Sequence, residues 1–159
     1  MWLEVDKVYR YDFTIRGVKL WISDHSDLQK ESEVWHIGQG QPHLKAKVGI
    51  CDHKGKQCIF ADLYSSRCPS DLVSGPEIDT SHRAQVKLSA GGQDGVGEEM
   101  KIGSRTFSLN GKNDEWKRWG IDQRNTPITE LEDKKAIFGD KIVLHFDIQI
   151  KGNATEIYY

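Results

Sequence analysis

The chain has 159 residues, enough for one domain with a real core, and at 37% hydrophobic and 29% charged it is globular rather than disordered in composition. The formal net charge of −2 argues against a nucleic-acid binder held mainly by phosphate contacts. No run of about 18 apolar residues is present, so no helical membrane span is expected.

The start, MWLEVDKVYR, is acidic and aromatic rather than basic then apolar, and does not read as a signal peptide. From Val8 onward period two dominates the chain. In 8–15, Tyr9, Tyr11, Phe13 and Ile15 share one face and Arg10, Asp12 and Thr14 the other, the pattern of a half-buried strand. Residues 18–23, VKLWIS, alternate with Val18, Leu20 and Ile22 in phase and predict a second strand. Residues 33–38 form a short third candidate. The cleanest alternation is 43–50, with Leu44, Ala46, Val48 and Ile50 against His43, Lys45, Lys47 and Gly49. The polar 52–56 is then a hairpin turn, and 57–64 returns.

Ser, Pro and Gly mark 65–81 as a surface loop. The strand 82–89 comes next, with Ala84, Val86 and Leu88 inward. Four glycines make 90–99 a flexible loop. It lacks a following Lys-Ser/Thr and a strand-loop-helix setting, so it is no phosphate cradle. A short strand at 105–109 precedes a turn at 110–112, and 141–150 is the last strand, with Ile142, Leu144, Phe146, Ile148 and Ile150 on one face. A short helix fits TPITELED, with Thr126 as N-cap, Pro127 first and Glu130 near the positive end. Together these elements predict an all-β fold, an antiparallel β-sandwich of seven to eight strands with one or two short helical turns. One domain would span 1–152, with 153–159 as tail or linker.

Catalytic and metal patterns are missing. Cys51, Cys58 and Cys68 are odd in number and read as reduced thiols. A zinc site from CDHKGKQC with Cys68 and His53 would lack the C-x-x-C knuckle. No two of the six histidines stand four apart, and His145, on the polar face of the last strand, reads as solvated or hydrogen-bonded. There is no G-x-S-x-G elbow. Asp114, Glu115, Glu130, Glu132 and Asp133 lie in loops and read as solvated. The sequon Asn153-Ala154-Thr155, without a secretory signal, reads as unused. The expectation is a non-enzyme without cofactor or metal.

Binding is what remains, and the stretch DEWKRWGIDQRNTPITELED (114–133) carries the clue. It holds Trp116 and Trp119 and a Trp-Gly step in a polar setting. KRWGI (117–121), then ITELED (128–133), then FGDKIVLHFDIQI (138–150) resembles the closing third of the MATH domain, the meprin and TRAF homology β-sandwich. AQVKLS (84–89), Trp35 before HLKAKVGI, and YDFTI match its upstream features more loosely, over roughly 8–150. The resemblance implies a peptide groove beside a strand edge, lined by Lys47, Val86, Phe107, Lys117, Arg118, Trp119, Gly120 and Ile121. The chain departs from the family at the opening motif, where FTIRGV stands, and at Ile121, Lys47 and Val86, where the family carries aromatics. Lys47, Lys117 and Arg118 would make the groove basic and suit an acidic or phosphorylated peptide.

Family membership further implies a cytoplasmic or nuclear adaptor, recruiting substrates to a ubiquitin ligase or scaffolding a complex. Any homo-oligomer would form through flanking domains. Two readings of Trp119 stand at this point, groove residue and core plug. Another β-sandwich binder, for carbohydrate or for calcium and lipid, is the alternative class.

Overall fold

A computed structural model describes residues 6–24, 29–36, 43–66, 83–108, 116–123 and 126–151. In chain order the elements are β1 (Asp6–Arg16), α1 (Val18–Ser23), β2 (Lys30–Glu31), β3 (Trp35–His36), β4 (His43–His53), β5 (Lys56–Ser66), β6 (Arg83–Ala90) and β7 (Met100–Ser108). They continue as β8 (Lys117–Gly120), β9 (Asp122–Gln123), α2 (Ile128–Asp133), β10 (Ile137–Phe138) and β11 (Lys141–Lys151). One sheet runs β1-β11-β6-β7-β9 with β10 on β11, and the other β2-β4-β5-β8 with β3 on β4. Every pairing is antiparallel. This is the expected sandwich. The excess over seven strands is the four two-residue pieces β2, β3, β9 and β10.

The alternation in sequence becomes two faces. Leu44, Ala46 and Val48 of β4 and Ile59, Ala61 and Leu63 of β5 turn inward. They meet Ala84, Val86 and Leu88 of β6 and Leu144, Phe146 and Ile148 of β11 in one buried cluster. Each large apolar side chain so buried contributes about 1.5–3 kcal/mol. A β4–β5 hairpin closes at Lys54-Gly55, with φ of 51° and 77°, so its two-residue turn is of the primed type that matches strand twist.

Three local expectations are corrected. Residues 18–23 are not a strand but the helix α1. Gly17, at φ 68°, reverses the chain, and Val18 and Trp21, three apart, are the buried pair. The N–H groups of Gly17 and Val18 both reach the Asp140 carbonyl, and that of Lys19 the Asp140 carboxylate at 2.9 Å, so one distant residue caps the helix start. At α2 the N-cap is Pro127, not Thr126. Thr126 gives its carbonyl to Ile59 N–H and Pro127 bridges to Cys58, so this pairing keeps Pro127 extended ahead of the helix. The glycine-rich 90–99 is an ordered turn rather than a slack loop. Gly91 N–H bonds to Val143 O, and a Cβ at Gly91 would stand 3.1 Å from the Ala136 backbone. The loop beyond Ser66, Cys68, the 110–112 turn and the 153–159 tail lie outside the described residues. No helix among the described residues is long and apolar enough to cross a membrane.

Candidate functional site

β8 is the edge of its sheet, pairing with β5 through Asp62↔Gly120, Leu63↔Trp119, Tyr64↔Arg118 and Ser65↔Lys117. After Ile121 the chain crosses to the opposite sheet, where β9 pairs with β7. The open side of β8 therefore lies where the two sheets part. Ile59 sends its N–H away from β4, to Thr126, so odd-numbered residues of β5 direct their backbone groups toward β8. By the alternation of an antiparallel ladder, Lys117 and Trp119 bond to β5, and Arg118 and Gly120 point their groups outward. The Gly120 carbonyl accepts Arg105 Nη1 at 2.7 Å. Arg118 N–H and C=O and Gly120 N–H are left facing the edge without a backbone partner among the described residues.

The side chains of β8 divide between two faces. Trp119 points in, stacking on Phe107 of the opposite sheet at 5.0 Å between centroids and donating Nε1–H to Ser65 Oγ at 2.8 Å. Lys117 Nζ lies 4.4 Å over the same indole, and the Arg105 guanidinium flanks it at 5.9 Å. Arg118 points to the outer face, where Nε meets Asp62 Oδ2 at 2.8 Å, a bond that raises the Arg118 pKa above its ordinary value. That face also carries Lys47, 4.7 Å over the Tyr64 ring, and Lys45, 4.2 Å over Trp116 and 2.7 Å from Glu31. The bond from Lys45 holds the Glu31 carboxyl below its usual range.

The sequence-predicted residues are thus partly united. Lys117, Trp119 and Phe107 form one cluster, and Lys47 and Arg118 share the outer face through Tyr64 and Asp62. Val86 and Ile121 are in the core, so they back the site rather than line it. The three cations expected to form one basic groove stand on two faces, and Asp62 neutralises one of them. Asp62, Tyr64 and Arg105 are not among the residues the sequence singles out, and Lys45 and Trp116 are named there without a place in the groove. The signal for Asp62 and Tyr64 was present, since they fill outward positions in the alternation of 57–64.

Gly49 and Gly120 contrast usefully. A Cβ at Gly49 would stand 2.4 Å from the Phe60 ring, so a side chain there fits only if that ring shifts. At Gly120 a Cβ would meet Arg105 Nη1 and Asp62 Oδ1 at 3.7 Å, ordinary contact, and its φ is not in the left-handed region. Neither backbone conformation nor packing demands glycine there, although glycine weakens a strand.

Such a sandwich, with its crossover from edge strand to opposite sheet, is the TRAF/MATH-type fold. No protein-family model matches the chain, and no curated protein matches it. Among solved structures, Notothenia coriiceps TRAF5 is similar with a TM-score of 0.59 and 15% identity, over 94% of this chain and 76% of that one. At that identity the likeness shows the fold.

Proposed function

We propose that this chain is a non-catalytic protein-interaction module. It binds an extended peptide of a partner protein by adding it as a strand to β8, and serves as an adaptor, recruiting substrates to a ubiquitin ligase or scaffolding a complex. The observation that carries the reading is Gly120, a glycine with no structural need of its own, beside outward-facing main-chain groups of Arg118. A bare Cα permits close approach of a second backbone. Lys47 and Lys117 form no ion pair among the described residues, and they favour carboxylate or phosphate groups on the bound peptide.

The test starts with capture of a partner by the chain and mapping of its binding peptide, followed by titration calorimetry. Gly120→Ala should leave the free energy of unfolding within about 0.5 kcal/mol of wild type, as surface changes usually do, yet weaken binding of the peptide severalfold. Lys47→Glu and Lys117→Glu should each cost about 0.2–1 kcal/mol and flatten the salt dependence of binding. A mapped peptide that binds all three variants like wild type overturns the assignment.

A further inference from the structure

Cys51 and Cys58 are register partners across β4 and β5, and both stand on the outer face of the five-stranded sheet. Gly49↔Phe60 and Lys47↔Asp62 continue the row on that face. Because Ile59 sends its N–H to Thr126, Cys58 directs its backbone groups toward β4, and Cys51/Cys58 is a hydrogen-bonded pair. The Cα atoms of such a pair lie about 5.5 Å apart, inside the disulfide range of about 4.4–6.8 Å. The Cβ atoms of directly opposed residues lie about 4.5–5.5 Å apart, wider than the about 3.5–4.5 Å that a relaxed disulfide prefers. A bond here closes under strain, the condition that makes a disulfide readily reduced again. Cys51 is exposed and Cys58 is buried. Burial pushes the Cys58 thiol up, with Cys51 the next cause, and Cys58 Sγ donates to the Lys56 carbonyl at 3.7 Å.

We propose that Cys51 and Cys58 form a reversible thiol-disulfide modification site for small disulfides of the glutathione class, independent of the peptide-binding reading. Exposed Cys51 is the entry point. Its thiolate attacks one sulfur of glutathione disulfide, forming a mixed disulfide and expelling one glutathione thiolate. Cys58 then gives its proton to solvent, and its sulfur attacks the Cys51 sulfur. The Cys51–Cys58 bond forms and the second glutathione thiolate leaves. The protein dithiol loses two electrons and two protons, and glutathione disulfide is reduced to two molecules of glutathione. Excess glutathione runs the sequence backwards.

The three cysteines fall in separate tryptic fragments, 48–54, 57–67 and 68–83, so mass mapping distinguishes every pairing. Wild-type protein equilibrated with glutathione disulfide and quenched in acid should yield fragments 48–54 and 57–67 joined, with the mass of two hydrogens lost. Added reduced glutathione should separate them while the far-ultraviolet circular dichroism stays unchanged. Cys58→Ala should stop at a glutathione adduct on fragment 48–54, and Cys51→Ser should leave fragment 57–67 unmodified. The proposal is overturned if the joined fragments include 68–83 instead, if wild type also stops at the Cys51 adduct, or if neither thiol reacts while the protein stays folded.

Discussion

Gln93 is a buried polar side chain in a segment that reads, in sequence, as a flexible loop. Its Nε2 faces three backbone carbonyls, those of Ala136 and Phe138 at 3.3 Å and Lys141 at 3.1 Å. It thereby holds the 136–141 turn that feeds β11. Gln93→Leu keeps much of the volume and leaves those carbonyls in want of a donor. The expected loss is about 1–3 kcal/mol, read as a lower urea midpoint with unchanged slope. An unaltered midpoint would mean that the turn is satisfied from elsewhere. No local pattern marks Gln93, because its acceptors lie more than forty positions away. His145 was more legible. Its place opposite Phe146 put it on the polar face, and there Nδ1 meets Asp12 at 2.6 Å and Nε2 the Gly91 carbonyl at 2.8 Å. The hydrogen-bonded reading of that histidine holds, whereas the solvated one does not, since it is buried.

Among the elements, β1, β4, β5, β6 and β11 were legible because each buries one face, and burying one face of a strand writes period two into the chain. α1 was not. VKLWIS fits both periods over six residues, and the choice is made by Gly17 and by Asp140, which lies over a hundred positions away. Asp140 itself sits at φ 56°, a conformation that aspartate and asparagine tolerate better than alanine. Asp140→Ala therefore loses the bond to Lys19 N–H and adds backbone strain. It should cost about 0.5–2 kcal/mol, the range for a lost helix cap. Asp140→Asn retains an acceptor and the backbone preference and should cost clearly less. Thermal melts of the two variants separate the cases: equal losses would show that the carboxylate does not cap α1.

Across the whole molecule, the fold is closed by contacts between chain-distant strands, with β1 paired along its length to β11. Of the proposed site, the part that a single run carries, the Trp-Gly step, is visible in the sequence. The part that sheet pairing assembles, as when Asp62 of β5 meets Arg118, is not. The same long-range pairing builds a charge cluster on the outer face of the six-stranded sheet. Arg10 Nε bonds Asp147 at 2.7 Å and Nη2 bonds Glu99 at 3.0 Å, tying β1 to β11 and to the entry of β7. The bond from Arg10 is the first cause that holds both carboxyls below their ordinary range. Because the folded-state values are lowered, the stabilisation is complete above the ordinary carboxylate values, about pH 4. It is lost as pH falls below them and through the lowered values of the folded state. Arg10 and Glu99 keep 43% and 39% of their side-chain surface in water, so screening limits the contribution to about 1 kcal/mol. Urea titrations at neutral pH and at pH values below the ordinary carboxylate range should show wild type losing stability on acidification. Arg10→Gln should start lower and lose less, because its two carboxyls titrate nearer their unfolded values. An identical acid-induced loss in the two proteins would place the pH dependence outside this cluster.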